Sequence, residues 1–277
     1  MTRAPFRPAI AGLIAHFTFV EAVRQRVPQV LLLGSAGLVL GIQGLREFNF
    51  GLSELKFIAD LGFGAMVFFG SILAIILATQ LFLGEIEERT APTVLAKAVG
   101  RTEFVVGKFL GVAGVLALFS AAVTGLIAAM LYAREIALLR ELPDLLVQGG
   151  PVRYADIAAV GFGHMLRFGV LAALSLLVAS WARTKLHAVM TSFGLLVIGD
   201  LQSVAQEAYA GTGSMPMRVF MAVVALLVPD LQAFDLGELA GTEGIPAHMV
   251  LRAAGYALCC IVAAGALAAF GFKRREL

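Results

Sequence analysis

Residues 84–111 read GEIEERTAPTVLAKAVGRTEFVVGKFLG. Acids lead (Glu85, Glu87, Glu88), Arg89 and Thr90 follow, and bases close the segment at Lys97, Arg101 and Lys108. Pro92 falls in the first turn of a short helix expected over about 91–99, and Thr90 stands where its hydroxyl can cap that helix. Acids at the start and bases at the end complement the helix dipole. A short charged helix of this kind can seat on a partner protein; the same composition also suits a solvated loop.

The other candidates lie inside apolar runs. His164 and Arg167 are one helical turn apart, and Asp200 sits in the next run. Ionisable groups at membrane depth are costly, so they pair or serve function. An Arg167–Asp200 pair is expected, either as an ion pair locking two helices or as part of a pathway. Gln80, beside Thr79, stands where it could line an entrance. Met215, Met217 and Met221 offer thioethers suited to Cu(I), although methionine is also an ordinary filler of membrane helices. Cys259 and Cys260 are adjacent, which suits small apolar helix positions better than a disulfide.

Several chemistries have no motif here. The Gly-x-x-x-x-Gly-Lys-Ser/Thr loop that cradles phosphate is absent, and the one Gly-Lys pair, Gly107-Lys108, is followed by Phe109. His-Glu-x-x-His, Cys-x-x-Cys and Gly-x-Ser-x-Gly are also missing. No catalytic residue, bound cofactor or nucleic-acid partner is expected.

Elements long enough to hold these residues follow from hydropathy. Of the 277 residues, 60% are hydrophobic and 14% charged, against roughly 25% charged in an average soluble protein. An all-α integral membrane protein is expected, with six spans at about 27–45, 61–83, 104–132, 156–181, 188–209 and 249–272. Residues 9–26 read as an amphipathic helix on the membrane surface rather than a cleavable leader, because His16, Glu21, Arg24 and Arg26 interrupt the apolar core. The apolar piece 215–228, closed by Pro216 and Pro229, is too short to cross and is expected to dip in from the outer face.

Six spans place both termini and the charged segment on one side. That side holds 13 basic and 6 acidic residues, formally +7, against −5 elsewhere. The positive side is the cytoplasmic one. Both termini are therefore expected in the cytoplasm.

With these elements in place, the chain resembles the type-2 ABC exporter permeases. Their coupling segment runs roughly Glu-x-Glu-x-Gly-Thr-x-x-x-Leu-Leu-x-x-Pro-x-x-Arg, followed by Gly-Lys. Glu85, Glu87, Thr90, Leu95, Arg101 and Gly107-Lys108 match; Arg89 replaces the usual Gly and Ala98 the usual Pro. The stretch 228–236, VPDLQAFDL, is similar to an element of the subgroup that includes permeases for maturing copper enzymes such as nitrous-oxide reductase. The resemblance implies a permease subunit in the bacterial cytoplasmic membrane, with ATP and Mg held by two separate ATPase subunits. It implies a second permease, either another copy or a paralogue. It makes Glu85, Glu87, Glu88, Arg89, Thr90, Arg101 and Lys108 the ATPase-coupling candidates. The alternative is a mechanotransmitting or scaffold subunit that recruits an ATPase and acts on an outer-face partner. The short outer loops, about 46–60, 133–155 and 210–248, favour transport.

Overall fold

In hydrocarbon each backbone N–H and C=O needs a partner within the protein, so a chain this apolar must fold as helices. A computed structural model describes residues 7–42, 53–87, 100–141, 152–210, 215, 228–237 and 244–274. The helices are α1 (Pro8–Arg24), α2 (Arg26–Gly41), α3 (Ser53–Glu87), α4 (Arg101–Glu141), α5 (Tyr154–Trp181), α6 (Lys185–Ala210) and α7 (Ala247–Arg274), with a 3₁₀ turn at Gln232–Phe234 before α7. Among the described residues there is no strand.

Among the described residues, four helices are long and apolar enough to cross a membrane, over Leu55–Gly84, Thr102–Arg140, Tyr154–Trp181 and Ala247–Gly271. The first expected span corresponds to α2, apolar but only 16 residues long. The fifth corresponds to α6.

Two expected boundaries shift. The helix that holds the second span, α3, begins eight residues before 61 and runs on through Glu85 to Glu87. The third does not end at 132: α4 continues to Glu141, so the first part of the expected loop 133–155 is helix. At 1.5 Å per residue, its 41 residues reach about 60 Å, twice the hydrocarbon thickness. Hydropathy marks the bilayer, and the helix outlasts it.

The core sits where α3, α4 and α5 meet. Met66, Leu73 and Phe82 of α3, Phe104, Leu116 and Ile127 of α4, and Phe168 of α5 are buried together. Small residues let the backbones approach. Gly70 faces the Phe168 ring, and a Cβ on Gly62 would lie 2.9 Å from Ile127 Cγ1. Apolar lipid gives helices no hydrophobic drive to associate, so such close packing is what holds them. Polar hydroxyls in the core bond back along their own helices: Thr79 Oγ1 donates to the Ile75 carbonyl at 2.7 Å and Ser175 Oγ to the Leu171 carbonyl at 2.8 Å.

The first helix packs along α4. Gly107, Gly111 and Gly114 of α4 form a stripe against α1. A Cβ on Gly107 would meet Ile14 Cβ at 2.7 Å and the Ala11 carbonyl at 2.9 Å; on Gly111, the Ala15 carbonyl at 2.8 Å; on Gly114, Phe19 Cδ2 at 3.0 Å. The contacts rise together along both helices, so α1 runs alongside α4 in the same direction. Thr18 is buried in the seam, while Leu13 and Phe17 are 59% and 64% exposed. Its outward side mixes these apolar residues with exposed His16, Glu21 and Arg24, and its inward side is fitted to glycines. Gln25, in extended conformation, separates it from α2.

Gly111→Leu is expected to cost about 1–3 kcal/mol by overpacking this seam. Gly12→Leu, where a Cβ meets nothing within 4 Å, should leave stability unchanged. Thermal unfolding of the purified protein in detergent reads both.

Candidate functional site

Among the described residues, four places where the chain is not helical are held by a carboxylate. The most elaborate is 228–237, between α6 and α7. Glycines admit it. At Gly163 of α5 a Cβ would lie 2.5 Å from the Phe234 carbonyl, and at Gly199 of α6, 2.9 Å from Leu231 Cδ1 and 3.2 Å from the Pro229 carbonyl. Leu231 and Phe234 are fully buried, and Phe234 stacks on Tyr256 of α7 with centroids 5.5 Å apart.

Arg167 of α5 lies beneath this segment. Its Nη2 donates to both carboxylate oxygens of Asp200 on α6, at 2.7 and 2.9 Å, and its Nη1 reaches the Leu231 carbonyl at 3.5 Å. The Arg167 side chain is 6% exposed and that of Asp200 34%. The segment's other polar groups are also met. Leu231 N donates to the Gly199 carbonyl at 3.2 Å. Gln232 Nε2 donates to the Asp200 carbonyl at 2.7 Å, and Ser203 Oγ donates to Gln232 Oε1. Asp230 N donates to Tyr256 Oη at 3.0 Å. Side-chain carboxylates close two local turns, Asp230 on Gln232 N and Asp235 on Gly237 N, both at 2.9 Å. Counted from Ala210 at ~1.5 Å per residue, Asp200 lies about 15 Å along α6. The segment thus reaches well inside the bundle.

At the same end, Glu135 of α4 accepts from Val152 N at 3.0 Å and Tyr154 Oη at 2.6 Å. Asp156 of α5 accepts from Ile245 N at 3.1 Å, just before α7, and its Oδ2 lies 3.6 Å from Arg153 Nε. Gly244 there has φ +80°, a backbone conformation that favours glycine.

The opposite end gathers the starts of α1, α4 and α6 and the ends of α3, α5 and α7. Glu103 is nearly fully buried there. One oxygen accepts from Gly100 N at 2.9 Å, the return half of a capping box on α4; the other accepts from Arg7 N at 2.7 Å, opening α1. Lys108 is buried above the Phe104 ring, 3.9 Å from Glu21 of α1. Thr184 caps α6 through His187 N at 3.3 Å. Gly84, near the end of α3, lies beside Lys185.

Of the candidates read from sequence, Arg167 and Asp200 come together. His164 is buried one turn away against the Phe63 ring, with centroids 5.5 Å apart. Gln80 is exposed on α3, apart from this group. Glu85 and Glu87 lie in the last turn of α3 and Arg101 opens α4; their side chains lie outside what is described. Glu88, Arg89, Thr90 and the helix expected over 91–99 also lie outside the described residues, as do Met217 and Met221. Met215 is exposed. Among the described residues no three His, Cys, Asp or Glu side chains cluster to hold a metal ion. Sequence reasoning passed over Glu103, Glu135 and Asp156. Glu103 was legible as Gly100-x-x-Glu103; the other two bond chiefly backbone N–H groups, which leave no signature.

Long apolar helices, a glycine-stripe seam and an irregular segment folded back onto a buried ion pair define a multi-pass helical membrane protein. The family described as ABC-2 family transporter protein matches residues 9–229, and the chain belongs to that family. No curated protein matches it.

Replacing Asp200 with Ala leaves the buried Arg167 without its anion. The expected loss is about 3 kcal/mol, the low end for a broken buried pair because Asp200 is partly exposed. Arg167→Met with Asp200→Leu should cost less than either single change in thermal unfolding. Glu103→Ala should speed hydrogen exchange at Arg7 and Gly100 and cost about 2 kcal/mol, from hydrogen bonds to a charged acceptor.

Proposed function

We propose that this chain is the membrane permease subunit of an ATP-driven exporter, whose ATP and Mg are held by two ATPase subunits on separate chains. The family match over 9–229 carries the reading. A second permease, either a copy or a paralogue, completes the pathway. The charge asymmetry of the sequence supports six spans in the bacterial cytoplasmic membrane with both termini in the cytoplasm.

The charged segment 84–101 is the coupling element. It joins the last turn of α3 to the first turn of α4, two helices that pack along the core. Glu85, Glu87, Glu88, Arg89, Thr90 and Arg101 contact the ATPase. Lys108 is buried against Phe104 and beside Glu21, so its part is to fasten α4 to α1. Motion of the ATPase pair on binding ATP then biases the permease between two arrangements. Gln80, exposed on α3 about one turn from Gly84, lines the cytoplasmic approach. The Arg167–Asp200 pair holds the outer half closed in the resting state.

One observation favours a second reading, a force-transmitting subunit acting on an outer-face partner. The α4 helix extends to Glu141 with Leu139 half exposed, past the length a bilayer requires.

Affinity purification in mild detergent with mass spectrometry tests the proposal. A Walker-motif ATPase should co-purify, hydrolyse ATP, and be lost on Glu87→Lys with Arg101→Glu. A chain that emerges alone under every condition contradicts it.

A further inference from the structure

The segment 228–237 is attached to its surroundings in two different ways. Toward α5 and α7 the attachment is chiefly apolar: Leu231 and Phe234 are buried with Val170 and Leu174 of α5 and Ala253 and Ala257 of α7, with Arg167 Nη1 on the Leu231 carbonyl and Asp230 N on Tyr256 Oη besides. Phe234 also stacks on Tyr256, and its carbonyl fills the space left by Gly163. Toward α6 an apolar contact, Leu231 against Gly199 with Leu195 and Leu196 nearby, stands beside a polar set that water can reach. The polar set consists of Leu231 N on the Gly199 carbonyl, the Gln232 amide on the Asp200 carbonyl and Ser203, and Arg167 on the Asp200 carboxylate. Gln232 is exposed, Ser203 partly so, and Asp200 is 34% exposed.

These attachments respond differently to force. Parting close-packed apolar side chains forfeits their contacts with no replacement. Parting hydrogen bonds that water can reach exchanges one set of partners for another at small net cost. The weak plane is therefore the α6 face. The outward side of α6, with Met190, Val197, Ile198 and Leu201 exposed, leaves that helix less enclosed than α5.

We propose that α5, the segment 228–237 and α7 move as one unit, and that the half of α6 around Gly199–Ser203 is the wall that parts from them when the pathway opens. Arg167 and Gln232 are the releasing groups. In the open arrangement Arg167 keeps the Leu231 carbonyl within its own unit, and Asp200 turns to water. The inference rests on the exporter reading, and adds to it which seam opens.

Cysteine pairs test it in a Cys259→Ser, Cys260→Ser background. Ser203→Cys with Gln232→Cys spans the seam; Phe234→Cys with Tyr256→Cys lies within the unit. Both pairs are cross-linked with a short bifunctional thiol reagent in nanodiscs containing the partner ATPase, before and after trapping with ATP and vanadate. The seam pair should lose at least threefold in yield on trapping, and the internal pair should not change. In parallel, Gln232→Cys alone should react at least threefold faster with a membrane-impermeant maleimide after trapping. Unchanged seam cross-linking and labelling in a preparation that hydrolyses ATP overturns the seam while leaving the exporter reading intact. A fall in the internal pair to match the seam pair overturns the rigid unit. If no ATPase associates, the exporter reading fails and the inference falls with it.

Discussion

A backbone amide in hydrocarbon has no water to turn to, and its unmet hydrogen bond costs several kcal/mol. Helices meet this requirement within themselves. The difficulty arises where the chain leaves helix, and at several such places among the described residues four carboxylates answer it. Glu103 takes the amides of Arg7 and Gly100, Glu135 that of Val152, and Asp156 that of Ile245. Asp200 acts through Arg167, which it holds beneath the Leu231 carbonyl, and through its own carbonyl, which receives Gln232. Each carboxylate joins parts of the chain distant in sequence, so local backbone needs become tertiary fastenings.

These fastenings divide the molecule by role. At the end that carries the charged segment, α1 and α4 are joined by Glu103, by Lys108 beside Glu21, and by the glycine stripe at 107, 111 and 114. Whatever pushes on the segment pushes on two helices together. At the other end, the segment 228–237 joins α5 to α7 chiefly by apolar packing and meets α6 by hydrogen bonds together with the Leu231–Gly199 contact. On the proposed reading these are the input and output ends of a permease that converts movement at one face into opening at the other, where bistable interfaces amplify small shifts.

Much of this was legible in the sequence, for identifiable reasons. Apolar runs located the long helices because hydropathy senses the bilayer directly. Helix ends escaped because α3 and α4 continue past the apolar stretch, where helix propensity and neighbouring helices, not lipid, decide. Arg167 and Asp200 were legible as a pair because two opposite charges in apolar runs must find each other. The depth of 228–237 was not legible: Gln232, Asp230 and Asp235 read as polar loop, and their burial depends on Gly163 and Gly199 lying opposite. The stripe Gly107, Gly111 and Gly114 carried a small-residue spacing that marks close helix contact.

The most direct measurement is photocrosslinking from the charged segment in intact membranes, with a light-activated residue at Leu95 and a control at Leu139. The expected result is an adduct between the Leu95 probe and a chain bearing a Walker motif, with none from Leu139. An ATPase captured from Leu139 and not from Leu95, or from neither, would contradict the assignment of this chain as the permease that an ATPase drives through residues 84–101.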